Sequence, residues 1–465
     1  MTQLMKFANF ERIHFVGIGG IGMSGIAEIL INQGFTVSGS DLSLSDVTQR
    51  LASLGAVINQ GHAPENVHGA DVLVYSSAVT ADNPEILEAT ERKIPSIRRA
   101  EMLAEVMRLH HGIAVAGTHG KTTTTSMLGL VLVQGGLDPT VIVGGKLHAF
   151  GGTNARLGRG EFMVVEADEF DRSFLQLNPT IAVLTTLEEE HLDIYANLDD
   201  LKQAFIEFAN KVPFYGFVTL CLDEPALQEI LPHIHRKVIS YGLSSQSDVQ
   251  AVDLEHHQNT TSFTVLQRGS ELGRLTLGVP GEYNVRNALG ATVVSLELGI
   301  PFVKVQEAFE GFTGVFRRFE VKAEIGEVMV VDDYAHHPTE VKETLRGIKA
   351  GWRRRVVCVF QPHTYTRTRD FHRDFGRAFM NADVLIVTDV YPAREHPIQG
   401  ISGELIVDAA KSFGHKEVLY IADKTEVPAA LLELSRPGDI VITMGAGDIY
   451  RYGNAFIELL DQNSA

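Results

Sequence analysis

The chain has 465 residues, of which 45% are apolar and 21% charged, and its acidic residues outnumber the basic ones by 58 to 40. The formal charge of −18 disfavours nucleic acid and anionic membranes, so neither is expected as a partner. The two cysteines, Cys221 and Cys358, are too few for a disulfide framework or a zinc site. Both lie in apolar runs, which predicts that they are core residues.

No apolar run reaches the roughly 18 residues that a membrane-spanning helix needs. The first residues of the chain also lack a basic region followed by a long apolar stretch, which a secretory signal would require. These observations predict a cytoplasmic protein.

Short β-branched runs alternate with amphipathic stretches along most of the chain. The runs predicted as buried parallel strands are Ile13–Val16, Val72–Tyr75, Ile113–Ala116, Ile181–Leu184, Val356–Val359 and Val384–Val387. Helical patterns such as Gly25–Asn32 and Thr122–Val133 lie between them. This alternation predicts doubly wound α/β domains with right-handed crossovers.

The pattern predicts three domains, at residues 1–109, 110–314 and 315–465. The first closes with a charged helix from Arg98 to Arg108, and the second contains a β-rich insert from Val249 to Leu277. A glycine-containing turn just before residue 315 separates the second domain from the third.

The first predicted strand is followed by a glycine-rich turn that opens a helix, with glycines at Gly17, Gly19, Gly20 and Gly22. Glycines let the backbone approach a phosphate closely, and a helix N-terminus offers free N–H groups to the anion. Asp41 ends the next strand, where its carboxylate could accept ribose hydroxyls. The pattern is typical of nicotinamide-dinucleotide binding, although the pyrophosphate of any nucleotide would satisfy it.

A second loop follows the strand that ends at Ala116, and its residues are Gly117, Thr118, His119, Gly120, Lys121, Thr122 and Thr123. We expect its backbone amides to hold phosphates, Lys121 to reach the β and γ oxygens, and the Thr122 hydroxyl to hold Mg²⁺. Two residues separate the glycines where the usual phosphate loop has four, so a tighter loop is expected.

Acidic residues follow two neighbouring predicted strands. Glu166 stands at the end of an apolar run, at the edge where a phosphate loop lies in such folds, and is expected to bind Mg²⁺. His191, after a run of three glutamates, suits a second Mg²⁺ together with one carboxylate. Glu189 and Glu190 are expected to be exposed turn residues.

Two clusters further along the chain also carry polar groups suited to ligands. Asn284 and Asn287 share one helical face and could bind an adenine edge, although helix capping by Asn284 is an alternative. In the predicted third domain, two strands are followed by histidines and arginines, whose imidazole and guanidinium groups would hold a small carboxylate. These residues are His336, His337, His363, Arg367 and Arg369.

In this order and spacing, the motifs resemble the Mur ligase family of peptidoglycan synthesis. The segments that carry the resemblance are His14–Gly20, Gly117–Thr122, Glu166–Glu169, Asp332–Pro338 and Gln361–His363. The resemblance covers essentially the full chain. It implies an α/β protein with an N-terminal Rossmann-like domain, a central P-loop ATPase-type parallel sheet with a β-rich insert, and a C-terminal Rossmann-like domain.

The resemblance also implies an ATP-dependent ligase that joins L-alanine to the lactyl carboxylate of UDP-N-acetylmuramate through an acyl-phosphate, with Mg²⁺, as a monomer or homodimer. The first glycine loop would then bind UDP, Lys121 and Thr122 would contact phosphates and Mg²⁺, and Glu166 and His191 would bind the metals. The other implied roles are Asn284 and Asn287 at adenine, Arg318 at the phosphates, Asp332 or Asp333 at the ATP ribose, and His337 and Arg367 at alanine.

Three alternatives remain open from the residues. A nicotinamide-dependent oxidoreductase would use the first glycine loop and Asp41 but would leave the second loop without a role. A ligase of the same family could use another acceptor, such as a tripeptide or a folate, although the His-His-Pro run at 336–338 favours alanine. A non-catalytic nucleotide-binding regulator would not need Lys121, Thr122, Glu166 and His191.

Overall fold

The computed structural model describes residues 10–76, 78–147, 153–191 and 194–464, which are arranged around three β-sheets. The elements of the first sheet and its helices are β1 (Arg12–Val16), α1 (Ile21–Asn32), β2 (Thr36–Asp41), α2 (Asp46–Ser53), β3 (Val57–Gln60), β4 (Val72–Tyr75), α3 (Pro84–Glu91), β5 (Ser96–Arg98) and α4 (Arg99–Met107). The strand order is β3-β2-β1-β4-β5, and all neighbouring strands are parallel. Fully buried apolar residues such as Phe15 and Val74 form its core.

The second sheet has ten strands. Its elements are β6 (His111–Ala116), α5 (Lys121–Gln134), β7 (Thr140–Leu147), β8 (Thr153–Arg156), β9 (Phe162–Ala167), β10 (Ile181–Leu184), α6 (Leu198–Asn210), β11 (Phe217–Cys221), α7 (Pro225–Ile230), β12 (Val238–Gly242), β13 (Val249–His257), β14 (Thr260–Gln267), β15 (Ser270–Leu277), α8 (Glu282–Glu297) and α9 (Phe302–Glu310). The order is β15-β14-β13-β12-β11-β10-β6-β9-β7-β8. The predicted β-rich insert is therefore confirmed as the strands β13 to β15, which extend the sheet beyond β12.

The third sheet has six strands. Its elements are β16 (Glu320–Ile325), β17 (Val328–Asp333), α10 (Pro338–Gly351), β18 (Val356–Phe360), α11 (Tyr365–Ala378), β19 (Val384–Val387), α12 (Glu404–Ser412), β20 (Val418–Tyr420), α13 (Val427–Leu434), β21 (Ile440–Met444) and α14 (Tyr450–Ser464). The order is β16-β17-β21-β18-β19-β20, and only β16 runs antiparallel to its neighbour. The core of this sheet contains Trp352, the single tryptophan of the chain.

The six runs predicted as parallel strands all lie within parallel strands of the structure. Cys221 and Cys358 are buried free thiols, which confirms their prediction as core residues. Among the described residues, none of the helices combines the length and the apolar character that crossing a lipid bilayer requires.

The chain forms two compact units. The first comprises Met1–Val252, Thr264–Leu275 and Arg286–Phe312, and the second comprises Asp253–Phe263, Thr276–Val285 and Thr313–Ala465. The first unit thus holds the first sheet together with most of the second, and the second unit holds the third sheet. The predicted boundary at 109 stays a prediction, since the division into units does not separate the first two sheets.

Strand order decides where the polar loops meet. Since β10, β6 and β9 are adjacent and parallel, the loops that follow them lie side by side at one edge of the second sheet. The glycine turn after β1 lies at the corresponding edge of the first sheet, and the histidine-containing loops after β17 and β18 lie at that edge of the third.

Candidate active site

The loop after β6 is fixed to the loop after β10 by a close backbone approach. Gly117 has a φ of 145°, and a Cβ atom there would overlap with the Thr185 hydroxyl, so only glycine fits. The Thr118 amide donates to the Thr186 carbonyl at 3.1 Å, and the His119 amide donates to the Thr186 hydroxyl at 2.7 Å. These two amides are therefore already used, and the first turn of α5 supplies the amides left for a phosphate.

Lys121 begins α5 and is held by a buried carboxylate. Its Nζ donates to both carboxylate oxygens of Glu169, at 2.8 and 2.7 Å, and Glu169 is only 1% exposed. Burial lowers the pKa of Lys121, but the charges of Glu169, Asp168 and Glu190 outweigh it, so this pKa lies above its ordinary value. Lys121 is thus a desolvated cation. Sequence reasoning missed Glu169, although it lies three residues after the predicted ligand Glu166.

Thr122 and Glu166 form a pair of oxygen donors next to Lys121. The Thr122 hydroxyl lies 3.0 Å from both carboxylate oxygens of Glu166, and the Gly144 amide donates to Glu166 Oε2 at 2.7 Å. A hydroxyl beside a carboxylate is the donor set that Mg²⁺ prefers, so the residues present fit this ion.

His191 and two carboxylates form a second cluster close to Lys121. Suitable ligand atoms of Glu169, Glu190 and His191 all lie within 4.8 Å of one another. The expectation that Glu190 is exposed was wrong: it is 5% exposed, whereas Glu189 is exposed as predicted. The physical reason is that the Glu190 carboxylate acts on the cation of Lys121, and a buried charge needs such a partner.

The glycine loop of the first sheet is shaped by Asp41. The Gly19 amide donates to Asp41 Oδ2 at 2.9 Å, and a Cβ atom on Gly19 would lie 2.8 Å from the same oxygen. The amides of Gly17 and Ile18 donate to the carbonyl of Ser40 at 2.8 and 3.0 Å. Asp41 therefore positions this loop in the structure, and its role at a ribose stays a prediction.

A buried polar network holds Ser40, the residue whose carbonyl contacts the same loop. Glu85 is fully buried and accepts hydrogen bonds from Ser40 and Asn66, both at 2.6 Å, and it lies 3.5 Å from His14. Burial raises the pKa of Glu85, but these hydrogen bonds and His14 outweigh it, so the pKa lies below its usual value. The network fixes Ser40, whose carbonyl holds the glycine loop.

The two asparagines predicted to bind adenine both lie near the start of α8 and are buried. The Thr124 hydroxyl donates to Asn287 Oδ1 at 3.2 Å, and a Cβ atom on Gly120 would overlap with that oxygen. Asn287 therefore packs against the phosphate loop. Asn284 donates to the Pro280 carbonyl at 2.7 Å. The adenine role of both side chains stays a prediction.

The carboxylates at the end of β17 have internal partners. Asp333 accepts the amides of Phe319 and Ala335, at 2.9 and 2.7 Å, and burial raises its pKa to about 6. Asp332 accepts from Arg317 at 2.9 Å. The contacts of both carboxylates support the fold of this edge, and their predicted role at a ribose stays a prediction.

Arg318, predicted at the phosphates, follows Arg317 in the chain. Its guanidinium lies 3.3 Å from Glu340 Oε1 and stacks over the Tyr334 ring, 5.1 Å from the centroid. Its phosphate role stays a prediction.

Imidazole and guanidinium groups meet at the carboxyl edge of the third sheet. Arg367 Nη1 lies 3.2 Å from His363 Nδ1, and the rings of His363 and His336 are 5.8 Å apart. His337 caps α10 and is 4% exposed, and Thr364 caps the helix that carries Arg367. The structure thus places His363 and Arg367 in contact, and the predicted role of His337, His363 and Arg367 at a small carboxylate stays a prediction.

Comparison with known proteins identifies close relatives. Models of the Mur ligase family match in three parts: the catalytic domain over residues 12–111, the middle domain over 115–295 and the glutamate ligase domain over 317–447. A UDP-N-acetylmuramate–L-alanine ligase from Geotalea uraniireducens is 54% identical over 454 residues, covering 98% of this chain and 99% of that protein. One from Geobacter sulfurreducens is 52% identical over 458 residues, with the same coverage.

A solved structure shows the same fold. The crystal structure of the UDP-N-acetylmuramate–alanine ligase of Thermotoga maritima has a TM-score of 0.82 and 30% sequence identity. The match covers 97% of this chain and 99% of that one. The likeness extends over all three sheets.

The contacts of Asp333 predict a pH-dependent stability. Asp333→Asn places an NH₂ group against a backbone amide, so the free energy of unfolding should fall by about 1–3 kcal/mol. The folded-state pKa of about 6 exceeds the ordinary value of 3.8, so this carboxyl stabilises most below pH 4, and that contribution is lost as the pH rises through 6. Urea unfolding followed by Trp352 fluorescence should give a larger wild-type advantage at about pH 5 than at about pH 7.5. If wild type and variant differ by the same free energy of unfolding at both pH values, the pKa of Asp333 is not raised in the folded protein.

Proposed function

We propose that this chain, which belongs to the Mur ligase family, joins L-alanine to the lactyl carboxylate of UDP-N-acetylmuramate with ATP as the phosphoryl donor. The observation that carries the proposal is the nucleotide site of the second sheet, where Lys121 and the Thr122–Glu166 pair stand side by side. This site lies in a chain that matches relatives of that name over nearly their whole length.

The chemistry explains why a ligase needs such a site. A carboxylate and an amine do not condense at neutral pH, because hydroxide is a poor leaving group. In the proposed reaction a lactyl carboxylate oxygen attacks the γ-phosphorus of ATP in line, the bond to the β–γ bridging oxygen breaks, and ADP leaves. The resulting acyl-phosphate carries phosphate as its leaving group.

The residues of the phosphate loop serve the first step by neutralising and positioning the triphosphate. Lys121 would exchange the carboxylate of Glu169 for phosphate oxygens, and the amides of the first turn of α5 would donate to the same group. Thr122 and Glu166 would hold Mg²⁺, and His191 a second ion, which supply further neutralisation of the triphosphate when bound.

The residues of the third sheet serve the amino acid. His337 and Arg367 would hold the carboxylate of alanine, which leaves its amine to attack the acyl carbon. The tetrahedral intermediate then expels phosphate, and the nitrogen loses a proton to give the amide. Asn284 and Asn287 at adenine, Arg318 at the phosphates and Asp332 or Asp333 at the ribose complete the proposed nucleotide contacts.

Removal of the lysine cation should separate chemistry from UDP-sugar binding. Lys121→Ala should lower kcat by about 10²–10³-fold, because the loss of one preorganised charge contact in the transition state has effects of this order. Binding of UDP-N-acetylmuramate, measured by calorimetry, should change less than about twofold. Lys237→Ala, which alters an exposed lysine, is the control and should retain activity. An equal loss of turnover and UDP-sugar binding would show that the sites are assigned to the wrong sheets.

A side chain at the first glycine loop should have the opposite effect. Gly19→Val places a Cβ atom 2.8 Å from Asp41 Oδ2 and 3.0 Å from the Thr48 methyl group, which forces the loop out of position. The KM for UDP-N-acetylmuramate should rise by about tenfold or more, while the KM for ATP stays within about twofold. Steady-state kinetics with each substrate varied in turn measures both, and an unchanged KM for the UDP-sugar would remove this loop from the proposal.

The substrate assignment is tested by phosphate release from ATP. With UDP-N-acetylmuramate present, we expect the fastest release with L-alanine, slower release with glycine or L-serine, and background release without an acceptor. A tripeptide that begins with L-alanine serves as the competing acceptor. Release that depends on the tripeptide rather than on alanine would assign the chain to a different ligase of the same family.

A further inference from the structure

Arg99 lies directly against the glycine loop of the first sheet. It is the first residue of α4, whereas Gly22 lies in the first turn of α1. A Cβ atom built on Gly22 would overlap with Arg99 Nη1 and would lie 3.2 Å from its Cδ. Because Gly22 has no side chain, the guanidinium of Arg99 can lie against the start of α1.

Among the described residues, the guanidinium of Arg99 has no ion-pair partner. Within the described part of the chain, its half-buried guanidinium makes neither an ion pair nor a hydrogen bond. Two arginines near the same sheet do have such partners: Arg50 lies 2.7 Å from Glu28, and Arg108 lies 3.1 Å from Glu105. Arg98, which is also unpaired among the described residues, differs from Arg99 in being exposed to solvent. The chain has 58 acidic and only 40 basic residues, so carboxylates that could pair with an arginine are plentiful. A half-buried arginine without such a pair is therefore suited to bind an anionic ligand.

The backbone around Arg99 adds to the positive potential. Cations are disfavoured at the N-terminus of a helix, yet α4 begins there with Arg98 and Arg99, and no side chain caps it. The acidic residue of its first turn, Glu101, lines a different cavity together with Arg98. The helix α1 also begins without a side-chain cap and without an acidic residue in its first turn. The carboxylate that contacts the glycine loop, that of Asp41, already accepts hydrogen bonds from the amides of Gly19 and Ser43.

We propose that Arg99 binds the diphosphate of the UDP-sugar. A guanidinium presents two parallel N–H donors to phosphate oxygens, and the loop amides of α1 would approach the same group. A glycine is then required at position 22 because any side chain there would displace Arg99. This requirement is separate from any contact that the backbone of Gly22 makes with the ligand. This assignment rests on the proposed function, since it adds a residue to the UDP-sugar site described there.

The test compares UDP with uridine, which has the same base and ribose but no phosphate. Ligand-observed NMR competition with the full-length enzyme measures the Kd of each and needs no turnover. Arg99→Ala should weaken UDP by about tenfold or more, as expected for a lost charged hydrogen bond, and change uridine less than about twofold. Arg99→Lys, which keeps the charge, should recover part of the loss.

Two further variants separate ligand binding from a structural role. Arg98→Ala removes a neighbouring charge that lines a different cavity, of about 590 Å³, together with Glu101 and Arg172, and should leave both Kd values unchanged. Gly22→Ala should displace Arg99 and weaken UDP as Arg99→Ala does. Circular dichroism and melting temperature report on the fold of each variant.

The outcomes are distinct. If Arg99→Ala leaves the Kd for UDP unchanged, or weakens UDP and uridine equally, Arg99 does not bind the diphosphate. If the wild-type enzyme binds UDP but fails to release phosphate with UDP-N-acetylmuramate and alanine, the proposed function fails while the assignment of Arg99 stands. ADP binding should be the same in all variants.

Discussion

The attachment of the loop after β6 to the neighbouring strand end is the contact on which the rest of the proposed nucleotide site depends. Gly117 allows the backbone to pass against Thr185, and the Thr186 carbonyl and hydroxyl then accept the next two amides of the loop. Because the loop is fixed in this way, α5 begins at Lys121. The side chain of Lys121 and the backbone amides of the first turn of α5 therefore lie at the edge of the sheet. The carboxylates that follow β9 and β10 reach Lys121 only because these strands flank β6.

A lysine that is largely removed from solvent needs a partner of opposite charge, and this explains the acidic residues around Lys121. Glu169 and Glu190 keep Lys121 charged although it is desolvated. In the proposed reaction, a triphosphate would replace Glu169 as the partner of Lys121, and the lysine would stay charged. The overall charge of −18 consequently does not prevent binding of an anionic substrate, since the cations that matter are placed individually.

The parts of the fold that could be predicted are those encoded by neighbouring residues. Apolar runs such as Ile181–Leu184 and the two glycine loops are contiguous, so the sequence alone located them. Glu169 was missed because its role depends on Lys121, which is 48 positions away. Glu190 was misjudged because only tertiary contacts decide whether a loop carboxylate is buried. The same applies to Arg99, which the sequence shows only as part of a charged helix.

The glycines of the two loops do more than allow a phosphate to approach. At Gly22, Gly117 and Gly120 a Cβ atom would overlap with a polar side-chain atom of another element, and at Gly19 it would press against Asp41. The facing groups are a guanidinium, a hydroxyl, a carboxamide and a carboxylate. Each glycine therefore leaves room for a side chain from another element, which contacts the loop or places a charge beside it. A glycine motif read from sequence predicts phosphate binding but cannot reveal these partners, which come from distant positions in the chain. The partners make the two loops chemically different, since Asp41 and Arg99 frame one loop, whereas Thr185 and Asn287 frame the other.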